Sequence, residues 1–126
     1  MKTILIVEDT ELNIDLITQL LEDDYKLLVA RDGDEAKALL QKHGSTIDLM
    51  LLDVVMPKTN GPQVYEFARK VHPGLPALFS TGYGAESALL KDLLEKESVA
   101  ILQKPYSLHV LGVKIREILD RRPAGE

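Results

Sequence analysis

Four short, uninterrupted and largely aliphatic runs, at residues 4–7, 49–52, 77–79 and 99–102, are separated by stretches whose apolar residues recur with the period of a helix. Runs that do not alternate polar and apolar residues suit strands covered on both faces, as in parallel sheets flanked by helices. A fifth run, residues 25–30, contains Lys26 and is followed by Arg31. Its place is expected at a sheet edge, where charge deters further pairing.

The intervening stretches read as helices. Leu12, Leu16 and Leu20 interleave with Ile14, Ile17 and Leu21, with Thr10 as the N-cap. Residues 34–43 form a second helix, with Gly44 as its C′ residue. Asn60-Gly61-Pro62 reads as a turn that puts Pro62 at the first helical position ahead of Val64, Phe67, Ala68 and Val71. His72-Pro73-Gly74 ends that helix, and Gly33, Gly44 and Gly74 all read as turn residues. A fourth helix is expected over 86–95, and a last one carries Leu108, Leu111, Ile115 and Ile118 on its buried face up to Arg121-Arg122. The order is βα repeated five times, which predicts an α/β fold with helices on both faces of a parallel sheet.

A chain of 126 residues, 45% of them hydrophobic, makes one packed domain. Without cysteine it has no disulfide, thiolate metal site or cysteine nucleophile. A net charge of −5 argues against direct binding of nucleic acid, which needs a basic face. No apolar run approaches the ~18 residues of a membrane span, and the stretch after Met1 is too short for a secretory signal. A cytoplasmic location is the expectation. His43, His72 and His109 lack metal-ligand spacing and are expected near helix ends, His43 and His72 as surface residues at C-termini.

In open parallel sheets, ligands bind at the carboxyl ends of the strands. Here those ends present Glu8-Asp9, Asp53, Ser80-Thr81-Gly82 and Lys104-Pro105. Carboxylate oxygens suit Mg²⁺, which also relieves the repulsion among them. An ammonium and a hydroxyl suit phosphoryl oxygens, and a carboxylate can form an acyl phosphate. Taken singly, each element has a plain structural explanation: an acidic pair at a helix N-terminus, a turn aspartate, a strand-ending turn, a loop lysine. Complementary chemistry at four separate strand ends is what selects phosphoryl transfer, with Asp53 as nucleophile.

Ile4-Leu5-Ile6-Val7-Glu8-Asp9, the stretch from Asp48-Leu49 to Asp53, Met56-Pro57 with Asn60-Gly61, Leu78 to Gly82, and Lys104-Pro105-Tyr106 resemble the receiver domain of two-component response regulators, over about residues 2–119. The resemblance implies a flavodoxin-like (βα)5 doubly wound parallel sheet with strand order 2-1-3-4-5. It implies that Asp53 accepts a phosphoryl group from a sensor histidine kinase or a histidine phosphotransfer protein. It further implies Mg²⁺ held by Asp9 and Asp53, by Glu8 through water and by the Val55 carbonyl. Lys104 then contacts the phosphoryl group, Thr81 is the switch hydroxyl, and the Lys104-Pro105 peptide is cis. The receiver unit is expected over residues 1–120, with 121–126 a tail or the start of a linker.

The sequence departs from the family pattern at three places. Ile101 stands where an aromatic ring often couples to the switch hydroxyl, Glu8 where Asp is common, and Thr59 where Met is frequent. Val55 and Tyr83, which flank the phosphoryl position, carry no acid or amide to orient water, so a slowly hydrolysing acyl phosphate is expected. An unchanged phosphoryl lifetime in Val55→Asn would count against that. Two other function classes compete. A receiver fold that binds partners without phosphorylation would be expected to have lost one of Glu8, Asp9, Asp53, Thr81 or Lys104. A phosphohydrolase of the haloacid dehalogenase type needs a second carboxylate two residues after the nucleophile, where Val55 stands, and a cap domain that 126 residues do not accommodate.

Overall fold

The computed structural model describes residues 1–53, 61–81, 99–103 and 107–121, with the backbone alone at 61, 62, 81, 99–101, 103 and 121. The elements are β1 (Thr3–Val7), α1 (Glu11–Leu21), β2 (Lys26–Ala30), α2 (Gly33–His43), β3 (Leu49–Asp53), α3 (Gly61–Val71), β4 (Ala77–Thr81), β5 (Val99–Gln103) and α4 (Leu108–Arg121). The helix expected over 86–95 lies outside the described residues. All five strands are parallel, in the order β2-β1-β3-β4-β5. The sheet is therefore the α/β arrangement expected from the sequence, with the lysine-bearing strand β2 at an edge.

Strand alternation sorts the core into two layers. Leu5, Val7, Met50, Leu52, Ala77 and Phe79 face α2 and α3, where Ala36, Leu40, Val64, Tyr65 and Ala68 cover them. Ile4, Ile6, Leu49, Leu51 and Leu78 face the other way, against Ile17 and Leu21 of α1 and Leu111, Ile115, Ile118 and Leu119 of α4. Because both faces of β1 and β3 are covered, their aliphatic runs need no polar alternation. The Thr3 N–H donates to Asp48 Oδ2 at 2.8 Å, and the Asp48 N–H to the Thr3 carbonyl at 2.8 Å. This pair fixes the register of β1 against β3 at the end of the sheet away from the acidic residues.

Helix α2 starts one residue earlier than the sequence predicts. Asp32 is its N-cap, accepting a hydrogen bond from the Glu35 N–H at 2.8 Å, while Glu35 reaches back to the Arg31 N–H at 3.4 Å. Asp32→Ala is expected to lower stability by about 1 kcal/mol. Urea unfolding measures this, and an unmoved midpoint would show that the cap contributes nothing.

Several local expectations are corrected. Thr10 occupies the N-cap position of α1 with extended backbone, but its side chain makes no capping hydrogen bond. Gly33 is the buried first residue of α2 rather than a turn residue. Gly44 is not left-handed. At φ −48° it continues in right-handed conformation into a single 3₁₀ turn, Gly44–Thr46. Gly61, not Pro62, is the first residue of α3. Gly74, by contrast, has φ 87° and makes the left-handed turn that follows α3, where a side chain would be strained. His72 is half-buried rather than a surface residue, with its Nδ1 enclosed and without a hydrogen-bond partner among the described residues.

The leucine pattern of α1 also divides. Ile14, Ile17 and Leu21 are buried, whereas Leu12 and Leu16 are 66% and 39% exposed. In α4 the buried face is Leu111, Ile115, Ile118 and Leu119, and Leu108 is exposed. A helix laid on a sheet buries only one stripe, so an apolar residue just outside that stripe faces water.

Candidate functional site

The register of the sheet brings the chemically distinctive residues to one end. Val7 pairs with Leu52 and Asp53 with Ser80, so Glu8 and Asp9, directly after β1, come level with Asp53. The Glu8 N–H donates to the Ala30 carbonyl at 3.0 Å, extending the β1–β2 ladder by one residue and holding the Glu8 backbone in the sheet. By alternation Glu8 follows Ile4 and Ile6, and Asp53 follows Leu49 and Leu51, so both side chains leave the sheet on the α1 side.

One carboxylate oxygen from each of Glu8, Asp9 and Asp53 lies within 4.8 Å of the others. Glu8 and Asp53 are only 4% and 7% exposed, and Asp9 is open to solvent. Two buried carboxylates and one exposed carboxylate this close repel one another, and partial burial strengthens the repulsion. A hard divalent cation bound by oxygen offsets it. The donor set, all oxygen with one side open to water, fits Mg²⁺, which keeps part of its hydration shell.

The first turn of α1 shapes this cluster. Glu8 Oε1 accepts the Thr10 N–H at 3.1 Å and Asn13 Nδ2 at 3.5 Å. Helix N-termini leave N–H groups without helical partners, so a neighbouring carboxylate is well placed to accept one. At the rim, Arg31 Nη2 and Nε donate to the two oxygens of Glu11 at 3.0 and 3.2 Å. This bidentate pair ties the start of α1 to the end of β2. The Arg31 hydrogen bond, and then its charge, hold the Glu11 carboxyl below the ordinary glutamate range, and Glu11 raises the guanidinium in turn. Both groups are well exposed, so the pair steers local geometry more than it stabilises the fold.

Of the residues singled out from sequence, Glu8, Asp9 and Asp53 meet as a cluster. Ser80, 3% exposed, lies beside Asp53 in register. Thr81 ends β4 opposite Gln103 of β5, so its backbone reaches the same end of the sheet, and Lys104 follows Gln103 in the chain. Phe79 pairs with Ile101 one step earlier. Val55, Thr59, Tyr83, Lys104 and Pro105 lie outside the described residues. Two contributors were missed from sequence: Asn13, whose contact is to a residue five positions earlier, and Arg31, whose partner Glu11 is twenty positions away. An amide in the first turn after an acidic pair was the available signal for Asn13. Nothing local marked Arg31.

Known proteins resemble this chain in sequence and in fold. The CpxR transcriptional regulatory protein of Klebsiella pneumoniae is 37% identical over 122 residues, which is 96% of this chain and 50% of that protein. The sensor kinase CckA of Brucella abortus is 32% identical over 121 residues, 95% of this chain and 13% of that protein. The chain therefore spans half of the first relative and a small part of the second. The crystal structure of a CheY-like receiver domain protein from Methanospirillum hungatei JF-1 superposes with a TM-score of 0.81 at 30% identity, covering 95% of this chain and 94% of that one. The receiver domain of the hybrid histidine kinase CckA gives 0.78 at 29% identity, covering 93% and 98%. The family profile of the response regulator receiver domain matches residues 4–116, from β1 into α4 and across all the strand ends. With its sheet order, its acidic cluster and its sequence in agreement, the chain belongs to the response regulator receiver domain family.

Proposed function

We propose that this domain takes a phosphoryl group on Asp53 from a sensor histidine kinase or a histidine phosphotransfer protein and changes its surface for a partner in response. The observation that carries the reading is the carboxylate cluster, Glu8, Asp9 and Asp53 within 4.8 Å at the carboxyl end of a parallel sheet. An Asp53 oxygen forms the new bond to phosphorus as the bond from phosphorus to the donor imidazole nitrogen breaks. The departing imidazole keeps the electron pair and is protonated by solvent. Asp9 and Asp53 would hold Mg²⁺, with Glu8 acting through water and the Val55 carbonyl completing the protein ligands. Bound there, Mg²⁺ neutralises charge building on the phosphoryl oxygens. Lys104 supplies a point charge to one of those oxygens, and the Thr81 hydroxyl is drawn toward another.

In this reading the domain catalyses only its own phosphorylation and slow dephosphorylation, and is not otherwise an enzyme. It spans residues 1–120, with 121–126 a tail or the start of a linker. It works in the cytoplasm without touching nucleic acid or membrane itself. Among the described residues no helix is long and apolar enough to cross a membrane, and the formal net charge is −5. Because Ile101 replaces the frequent aromatic, the segment after Thr81 is expected to carry the surface change. The test is intact mass after incubation with Mg²⁺ and phosphoramidate or acetyl phosphate. One added phosphoryl group, removed by hydroxylamine, supports an acyl phosphate. Absence of both phosphorylation and Mg²⁺ binding would favour a partner-binding module that works without phosphorylation.

A further inference from the structure

We propose that Asn13 is a positioning residue for the Glu8 carboxylate, matched to the glutamate at that position. The inference rests on reading Glu8, Asp9 and Asp53 as a Mg²⁺ site. A glutamate has one more rotatable bond than an aspartate, so its carboxylate is harder to hold at a set place beside two others. Here the same oxygen, Glu8 Oε1, receives two donors from the N-terminal end of α1: the N–H of the N-cap Thr10 at 3.1 Å and Asn13 Nδ2 at 3.5 Å. The backbone donor would be present with almost any residue at position 10. The side-chain donor depends on Asn13.

Helix formation does not call for asparagine there, since it is a weak helix former in a helix interior. Asn13 is half-buried on the side of α1 that faces the cluster, between exposed Leu12 and buried Ile14. Its donor is also neutral. An amide N–H relieves part of the charge on three close carboxylates without adding a cation that would compete with a divalent ion. At 3.5 Å the contact is long, and hydrogen bonds around such sites commonly tighten when the charged ligand binds. Thr10 and Asn13 together tether one oxygen of Glu8, which restrains the orientation of the whole carboxyl group toward Asp9 and Asp53.

The proposal predicts a conditional effect. An aspartate at position 8 is one methylene shorter and draws its oxygens away from Asn13, so the amide should then matter little. Four proteins test this: the natural chain, Asn13→Ala, Glu8→Asp and the double variant. Mg²⁺ dissociation constants come from NMR titration of the amide signals, and thermal midpoints are measured in EDTA. Asn13→Ala should weaken Mg²⁺ binding roughly tenfold when Glu8 is present, as for other residues hydrogen-bonded around a metal site. In the Glu8→Asp chain the same change should cost less than about twofold, a coupling between contacting residues. The midpoint in EDTA should change little, because the helix preference of alanine offsets the lost contact to Glu8. Equal weakening in both backgrounds would assign the effect to helix α1 in general and overturn the proposal. No weakening beside Glu8 would overturn it while leaving the metal site intact. A natural chain that binds no Mg²⁺ would overturn both the proposal and the metal reading.

Discussion

Asp53→Asn will take up no phosphoryl group from phosphoramidate or acetyl phosphate, and in metal-free buffer it will unfold at higher urea than the natural chain. The amide keeps the shape of the side chain and lacks the anionic oxygen needed to form an acyl phosphate. The gain in stability follows from electrostatics. Asp53 is 7% exposed and lies within 4.8 Å of carboxylates from Glu8 and Asp9. Removing one of three like charges at that separation is expected to stabilise the fold by roughly 1–3 kcal/mol, the lower part applying if solvent at Asp9 screens much of the repulsion. Excess Mg²⁺ will narrow or reverse the difference, because a ligand that binds only the folded state stabilises the protein able to bind it. Urea unfolding in EDTA and in Mg²⁺ reads both effects. If Asp53→Asn were less stable in EDTA, favourable contacts of Asp53 would outweigh the repulsion, and like charge would not dominate the energetics of the cluster.

Phe79→Ala will be the most damaging single change in the described core. Phe79 is fully buried in the middle of β4, paired in register with Leu52 on one side and Ile101 on the other. Its ring meets Tyr65 of α3 edge-on, with centroids 6.0 Å apart and planes at 69°. Truncation removes the ring from the layer between sheet and α3, and close-packed neighbours relax only partly into the cavity. The expected loss is about 3–5 kcal/mol, much of the stability of a small domain. Phe79→Leu, which keeps most of the volume, should lose roughly 1–2 kcal/mol. Urea unfolding measures both. A loss below about 1 kcal/mol for Phe79→Ala would mean that the layer collapses around the gap instead of keeping a cavity. Tyr65 offers a second readout. Burial raises its phenol above the usual tyrosine range, with Arg69 opposing and Glu66 adding to the shift. Opening the layer beside it should bring that titration back down.

Much of this protein is determined by sequence alone, because the relevant interactions are periodic or sit at chain positions that the topology repeats. Unbroken aliphatic runs can satisfy only strands covered on both faces, and Lys26 in the remaining run is tolerable only at an edge; the sheet order places it there. The strand-end position of Glu8, Asp9 and Asp53 follows from the same logic, since every parallel strand delivers the residue after it to one end of the sheet.

Tertiary structure decided what lies beside what across the fold. Leu12 and Ile14 are equally apolar, yet one is exposed and the other buried, because the angle at which α1 lies on the sheet chooses the stripe. Gly44 has the residue type of a left-handed cap and instead stays right-handed, since the chain continues into a 3₁₀ turn before β3. The pairing of Arg31 with Glu11, twenty positions apart, depends on β1 lying next to β2 with α1 starting above them. Local propensity is a property of a residue and its near neighbours. The orientation of a carboxylate in a site depends on groups that only the folded sheet brings within hydrogen-bonding distance.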